Sequence, residues 1–362
     1  MSNKKIRSIA FVLPQFHPIP ENDEWWGKGF TEWTNVTKAK PLFKDHYQPQ
    51  LPTDLGFYDL RLPEAREAQA NLAKEHGIYG FCYYHYWFNG KRLLNQPIDE
   101  MLRLKTPDMP FMLCWANENW TRRWDGKDEE VLIKQNYSLE DDQNHMRWLC
   151  NNVFNDVRYI KINNCPVFAI YRHDLLPEIK KTVSLWRKIA TEEFGFNGLY
   201  LCVMESFNRI IDPKTIQFDA VIEFSPHNLL KDGIPQSKTE KKLINLKLKK
   251  NRTYSLRDYN KAVKNAIERK EPDFKLFRSV TPAWDNTPRR NEMATMSIGS
   301  SPENYYYWLK NIIKNFNPYS EEENFVFINA MNEWAEGNHL EPCIKYGKAY
   351  LEATKKALAE KA

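Results

Sequence analysis

The chain has 362 residues, of which 42 % are hydrophobic and 27 % charged, and its formal net charge is +5. Such a length suits two average domains or one large α/β barrel, and the apolar share can fill a sizeable core. The charge is too small and too dispersed to argue for a nucleic-acid partner, and no stretch reaches the roughly 18 apolar residues of a membrane span.

The chain opens on two lysines followed by a short β-like run, Ile6–Leu13, without the longer apolar stretch and small-residue cleavage site of a signal peptide, so a cytoplasmic location is expected. Residues 14–61 follow, rich in Pro, Trp and Gly; a loop of that length in a compact fold usually carries function. From there short apolar runs alternate with amphipathic stretches. The runs after the first are Ile78–Tyr84, Pro110–Trp115, Pro166–Tyr171, Leu199–Met204, Ala220–Phe224, Leu276–Thr281 and Phe325–Ala330. Helices are predicted over Leu62–His76, Gln96–Leu104, Leu139–Phe154, Leu175–Phe194, Ile210–Thr215, Leu256–Arg269, Pro302–Phe316 and Lys348–Lys361. Gly77 can end the first helix, Ser255 can cap the sixth, and Pro302 suits a first helical turn.

Strand and helix repeated eight times imply parallel strands with crossover helices. The expected fold is α/β, a TIM-type (β/α)8 barrel forming one catalytic domain over residues 1–362, with the long 14–61 loop after strand one and a basic insertion after strand six. A doubly wound sheet is the alternative, but no G-x-G-x-x-G or P-loop follows any strand. The insertion, residues 229–255, holds Lys231, Lys238, Lys241, Lys242, Lys247, Lys249, Lys250 and Arg252. It reads as a solvated basic helix; contact with an anionic polymer or a membrane surface is the functional alternative. No C-x-x-C occurs among the six cysteines, so reduced thiols are expected.

In a barrel, functional groups come from the C-terminal strand ends. Here those ends read Gln15-Phe16-His17, His85-Tyr86-Trp87, Trp115-Ala116-Asn117-Glu118-Asn119-Trp120, Tyr171-Arg172-His173-Asp174, Glu205-Ser206, Glu223-Phe224-Ser225-Pro226-His227, Trp284-Asp285-Asn286 and Asn332-Glu333-Trp334-Ala335-Glu336. Every end carries an acid, an amide, a His or an aromatic. Metal spacing is poor, with neither H-x-H nor H-E-x-x-H, and no nucleophile elbow is present, so neither a metal nor another cofactor is expected. Carboxylates beside Trp, Tyr and amides suit glycosides: one acid for the leaving oxygen, one base or nucleophile, and flat rings for sugar faces. The 14 % aromatic content fits that use as well as it fits a large core. Glu333 and Glu336 would point to opposite faces of a straight strand but can share one face of a tight turn. Mutual repulsion and an apolar neighbour favour protonation of one of the two. The run Glu321–Glu323 reads instead as a solvated surface stretch.

Five motifs carry a family resemblance: L-P-Q-F-H-P-I-P-E-N-D-E-W-W-G-K-G-F-T-E-W-T-N-V at 13–36, Y-Q-P-Q-L-P at 47–52, G-F-C-Y-Y-H-Y-W-F at 80–88, L-C-W-A-N-E-N-W-T-R-R-W-D-G at 113–126 and N-E-W-A-E-G-N-H-L-E-P at 332–342. Over nearly its whole length the chain resembles the WbsX-type proteins, described as glycosyltransferases of bacterial surface-polysaccharide loci. Through the last motif it is distantly similar to glycoside hydrolase family 99, the endo-α-mannosidases and endo-α-mannanases. That resemblance implies a (β/α)8 barrel, no metal, and retention of anomeric configuration. It assigns Glu333 as a base acting on the substrate's own 2-hydroxyl and Glu336 as the general acid/base. The chain departs from the motif at Met331, where Trp is frequent, and at Ala335, where the mannosidases usually carry His.

The expected partner is therefore an α-linked oligo- or polysaccharide. Trp115, Trp120, Trp284 and Trp334 are candidate sugar platforms. Tyr84, His85, Trp87, Asn117, Glu118, Glu223, Asp285 and Asn332 are candidate substrate-binding groups, with Glu118 a rival catalytic acid. A glycosyltransferase is the alternative, although no D-x-D triplet is present; a non-catalytic glycan-binding protein is the third reading.

Overall fold

The computed structural model describes residues 6–122, 127–207, 210–227, 229–238, 241–242, 246 and 252–360. Among the described residues, the eight apolar runs form parallel strands: β1 Arg7–Val12, β2 Gly80–Phe88, β3 Phe111–Trp115, β4 Cys165–Ile170, β5 Tyr200–Glu205, β6 Ala220–Glu223, β7 in two pieces, Leu276–Phe277 and Ser279–Val280, and β8 Phe325–Ile328. Strands pair with their neighbours in chain order, and β1 pairs with β8, placing Arg7 opposite Phe325. β7 closes the ring: Leu276 sits opposite Val221 of β6, and Ser279 opposite Phe327 of β8. The break between its pieces falls at Arg278, whose guanidinium bonds Glu223 and Glu271 instead of joining the apolar wall. The fold is the (β/α)8 barrel that the alternation predicts.

Side-chain period two fills the barrel. Phe11 projects inward, its ring 5.7 Å from those of Tyr84, Phe224 and Phe327, so the lumen is a packed core. The outer layer comprises helices Pro63–Glu75, Gln96–Leu104, Leu139–Leu149, Ile179–Lys188, Tyr259–Ile267, Pro302–Asn315 and Ala349–Ala359. Two of these run on as single wide turns, Cys150–Phe154 and Ile189–Glu193, which carry them to about the ends expected at Phe154 and Phe194. Where Ile210–Thr215 was expected to be helical, only the 3-10 turn Pro213–Ile216 forms. Ser301 caps the Pro302 helix through Asn304 N–H. Ser255 is no cap: Ser255–Asp258 pairs in parallel with Thr295–Ile298, and Asp258 caps the next helix through Lys261 N–H.

The six cysteines are free thiols and five are buried. Glu323 leaves the expected surface run: it is buried and accepts from Tyr200 Oη at 2.7 Å and from Lys275. Lys231, Lys238, Lys241 and Lys242 are exposed, while Lys247, Lys249 and Lys250, with residues 239–240, 243–245, 248 and 251 of the expected basic helix, lie outside the described residues. No helix of the described residues is long and apolar enough to cross a membrane.

Candidate active site

At the C-terminal ends of the strands a cleft of about 900 Å³ opens, walled by Tyr84, Tyr86 and Phe88 of β2, by Glu118 and Trp120 after β3, and by Glu333 and Glu336 after β8. The last motif folds as a small hairpin. Asn332–Glu333 pairs antiparallel with Asn338–His339, and the 3-10 turn Trp334–Glu336 lies between them. Gly337 permits the return, with φ of +57°; a Cβ there would lie 2.8 Å from Gln50 Nε2 and 2.9 Å from Asp285 Cβ. This turn brings both carboxylates to the cleft, although they are three residues apart.

Between them stands Arg289, from the short helix Thr287–Arg290 that follows β7. One terminal nitrogen donates to Glu336 Oε1 and the other to Glu333 Oε2 at 2.8 Å. The second nitrogen also reaches Glu32 Oε1 at 3.5 Å. Glu32 comes from the helix Glu32–Val36 inside the long 14–61 loop and is fully buried. The same Oε1 accepts from Ala335 N–H at 2.9 Å, so Glu32 holds the turn as well as the arginine. Three carboxylates thus share one guanidinium. Burial pushes Glu333 up to about 8 against the pull of Arg289, with Glu336 and Glu32 adding to the rise. Burial likewise pushes Glu32 up to about 7, while the surrounding acids hold Arg289 firmly charged.

Below the turn, Trp334 donates through Nε1 to Glu341 at 2.7 Å and stacks on His339 at 3.7 Å. Tyr58 and Gln69 also donate to Glu341, and burial pushes this carboxyl up to about 7. The long loop therefore supports the turn, through Glu32 and Tyr58.

Several expected substrate contacts lie elsewhere. His85 and Trp87 fall on the opposite face of β2 from Tyr84, Tyr86 and Phe88, because successive strand residues alternate. His85 Nε2 meets His145 Nε2 at 2.9 Å, Trp87 donates to Asp141 at 3.0 Å, and burial lowers His85 to about 3. Trp115 packs in the same outer layer, its ring 4.7 Å from His145. Asn117 ties two strand ends together, donating to Arg172 O at 2.8 Å and accepting from Arg172 N at 2.8 Å. Glu223 is locked by Arg269 and Arg278. Asn332 bonds both backbone groups of Leu13, and Trp334 is fully buried, so neither faces a sugar. Asp285 braces the Thr287–Arg290 helix through Thr287 and accepts from Gln48 and His46. Trp284 lines two hollows beside the cleft rather than the cleft itself.

The cleft thus gathers Glu333, Glu336, Glu118, Trp120 and Tyr84 of the expected residues and adds Tyr86, Phe88, Tyr171, His227 and Arg289. Strict alternation along Tyr84-His85-Tyr86-Trp87-Phe88 would have found two of these. Glu32 lay within the first motif as one acid among several. Arg289, in W-D-N-T-P-R-R, carries no local signal.

The fold and site define a (β/α)8 barrel with carboxylates and aromatic rings gathered at its C-terminal mouth. The family model described as Glycosyltransferase WbsX matches residues 8–354, and the chain belongs to that family. It is 42 % identical over 352 residues to proteins described as uncharacterized protein WxcX from two strains of Xanthomonas campestris pv. campestris, covering 97 % of this chain and 49 % of each relative. The chain spans about half the length of the curated relatives it matches. Among solved structures, the GH99 endo-alpha-mannosidase of Bacteroides thetaiotaomicron superposes with a TM-score of 0.60 at 13 % identity, covering 100 % of this chain and 98 % of that one. A protein described as glycoside hydrolase-like gives 0.60 at 14 % identity, covering 99 % and 95 %. At these identities the likeness is one of fold.

Proposed function

We propose that the chain is a retaining glycoside hydrolase acting on an α-linked bacterial polysaccharide, with the whole barrel as one catalytic unit. The observation that carries this reading is the pairing of Glu333 and Glu336 on one guanidinium at the floor of an aromatic cleft. Glu336, on the exposed side of the turn, protonates the leaving glycosidic oxygen as general acid. Glu333 takes a proton from the substrate's 2-hydroxyl, whose oxygen attacks the anomeric carbon. Water then opens the resulting anhydro-sugar, with Glu336 now the base and Glu333 returning its proton. A proton acceptor pushed up to about 8 is well matched to a hydroxyl, since general-base strength rises with pKa. Arg289 holds both carboxylates in register and offsets their charge between steps. Trp120 and Tyr86 offer ring faces to sugars, and Glu118, paired with Arg172, receives hydroxyls on the opposite wall.

The family description favours one second reading, a transferase in surface-polysaccharide assembly using the same cleft. Mass spectrometry in ¹⁸O-water separates the two. With α-mannan and with the source organism's own surface polysaccharide, a hydrolase yields shortened chains carrying ¹⁸O at the new reducing end. Glu336→Gln should lose roughly 10²–10⁴ of that rate. Unchanged chains, with elongation when a nucleotide sugar is supplied, would establish the transferase instead.

A further inference from the structure

Behind the Trp334–Glu336 turn lies a second hollow, of about 770 Å³. Two connections tie it to the cleft. His227 lines the cleft and a smaller hollow beside it, and Trp284 lines that smaller hollow and this one. The turn itself is the other connection: Glu336 lines the cleft, and Gly337, the next residue, lines the hollow. Asp285, also in the hollow's lining, donates its N–H to Glu336 O at 2.6 Å, so the two spaces flank one hydrogen-bonded wall. The lining is suited to a sugar. Tyr47, from the loop after β1, and Tyr346, from the stretch before the last helix, are half-buried and share Lys345, whose Nζ stands 5.1 Å from one ring centroid and 4.7 Å from the other. A half-buried phenol ring offers an apolar face to the C–H side of a pyranose and a hydroxyl at its edge. Gln50 supplies a polar contact. His339 Nε2 meets one end of its side-chain amide at 2.9 Å, while the other end has no hydrogen bond among the described residues and reaches solvent. A sugar hydroxyl both donates and accepts, so it satisfies either end of an amide. Asp45, exposed at the rim, adds an acceptor, and with Lys345 opposite in sign the lining favours neutral hydroxyls over an ion.

We propose that this hollow is a distal glycan subsite: a sugar further along the same polysaccharide chain as the one over Glu333 and Glu336 lies against Tyr47 and Tyr346 with a hydroxyl on Gln50, the chain between them passing His227 and Trp284. The protein thereby selects long chains over short ones. The inference rests on the cleft's holding a glycan, but not on the direction of the chemistry there.

Binding separates the two questions. The Glu336→Gln protein is titrated by calorimetry with size-fractionated fragments of α-mannan and of the source organism's own surface polysaccharide, two sugars and six sugars long. With one of the two polymers the six-sugar fragment should bind about 10-fold or more tightly than the two-sugar fragment, at one fragment per protein, since stacking one further sugar on aromatic rings is worth about that factor. Tyr346→Ala should bring the long fragment down to the affinity of the short one, and Tyr346→Phe, which keeps the ring, should retain most of the gain. Tyr47→Ala, in a different loop, should give the same loss as Tyr346→Ala, with thermal melts showing that each variant folds. Equal affinity for both lengths, binding of neither, two fragments held per protein without a gain in affinity, or a gain that survives both alanine variants overturns the proposal. Cleavage in ¹⁸O-water would still stand in that case; conversely, a length preference without any cleavage would retain the subsite and remove the hydrolase.

Discussion

Glu32→Gln tests whether three carboxylates act as one electrostatic unit. Arg289 Nη2 lies 3.5 Å from Glu32 Oε1 and 2.8 Å from Glu333 Oε2, so these oxygens are at most about 6 Å apart. At an effective dielectric constant of ~20, two unit charges at about that separation repel by about 2.7 kcal/mol, equivalent to about 2 pKa units. Glutamine retains a carbonyl oxygen for Ala335 N–H, so the turn is preserved while the charge is removed. Loss of a negative neighbour, and a larger share of Arg289, both favour ionised Glu333. Its midpoint, pushed up to about 8 in the native protein, should therefore fall towards about 6 in the variant. ¹³C NMR of labelled glutamate carboxyls follows the titration without needing a substrate. Once a substrate is in hand, the ascending limb of kcat/KM should move to lower pH by a similar amount. A Glu333 midpoint that stays at or above its native value in Glu32→Gln would refute the coupling.

Other substitutions separate support from chemistry. Arg289→Met leaves three carboxylates without their shared cation, which should destabilise the fold by about 3–5 kcal/mol in denaturant melts; Arg289→Lys should recover part of that stability but little activity, for want of a fork. Trp334→Ala should cost about 3–5 kcal/mol in the same melts by opening a cavity, whereas Trp120→Ala should leave the melt nearly unchanged and raise KM. The pH dependence of stability has opposite signs for two buried sets. Burial lowers His85 to about 3 and His17 and His339 to about 4, so their folded-state contribution is present above about 6.5 and is lost as pH falls; each should cost about 3 kcal/mol by pH 4. Glu32 and Glu333 are raised, so their contribution is full below about 4.5 and is lost as pH rises through 7 to 8. Thermal melts across pH 4–9 should show both arms, and Glu32→Gln should flatten the alkaline one.

The sequence by itself determined the barrel, because a buried parallel strand needs a continuous apolar run and a crossover helix needs a 3.6-residue period, and both are local patterns. It also determined that Glu333 and Glu336 stand at a strand end, since an apolar run stopping at two acids is visible without any partner. Which polar residues face the mouth was less legible. The alternation on β2 was there to be read, but Asn117, Glu223, Asn332 and Trp334 resemble site residues in type, and only their bonds to neighbouring strands show that they brace the frame. Tertiary structure alone decided the centre of the site. Glu32, Arg289 and Glu333 are separated by some 250 and 40 residues of chain, and nothing in the local pattern of any one names the others. Closing the ring brings the loop after β1, the helix after β7 and the hairpin after β8 to one point, and there burial, acting on charges that no short segment contains, raises the proton affinity of Glu333 and Glu32.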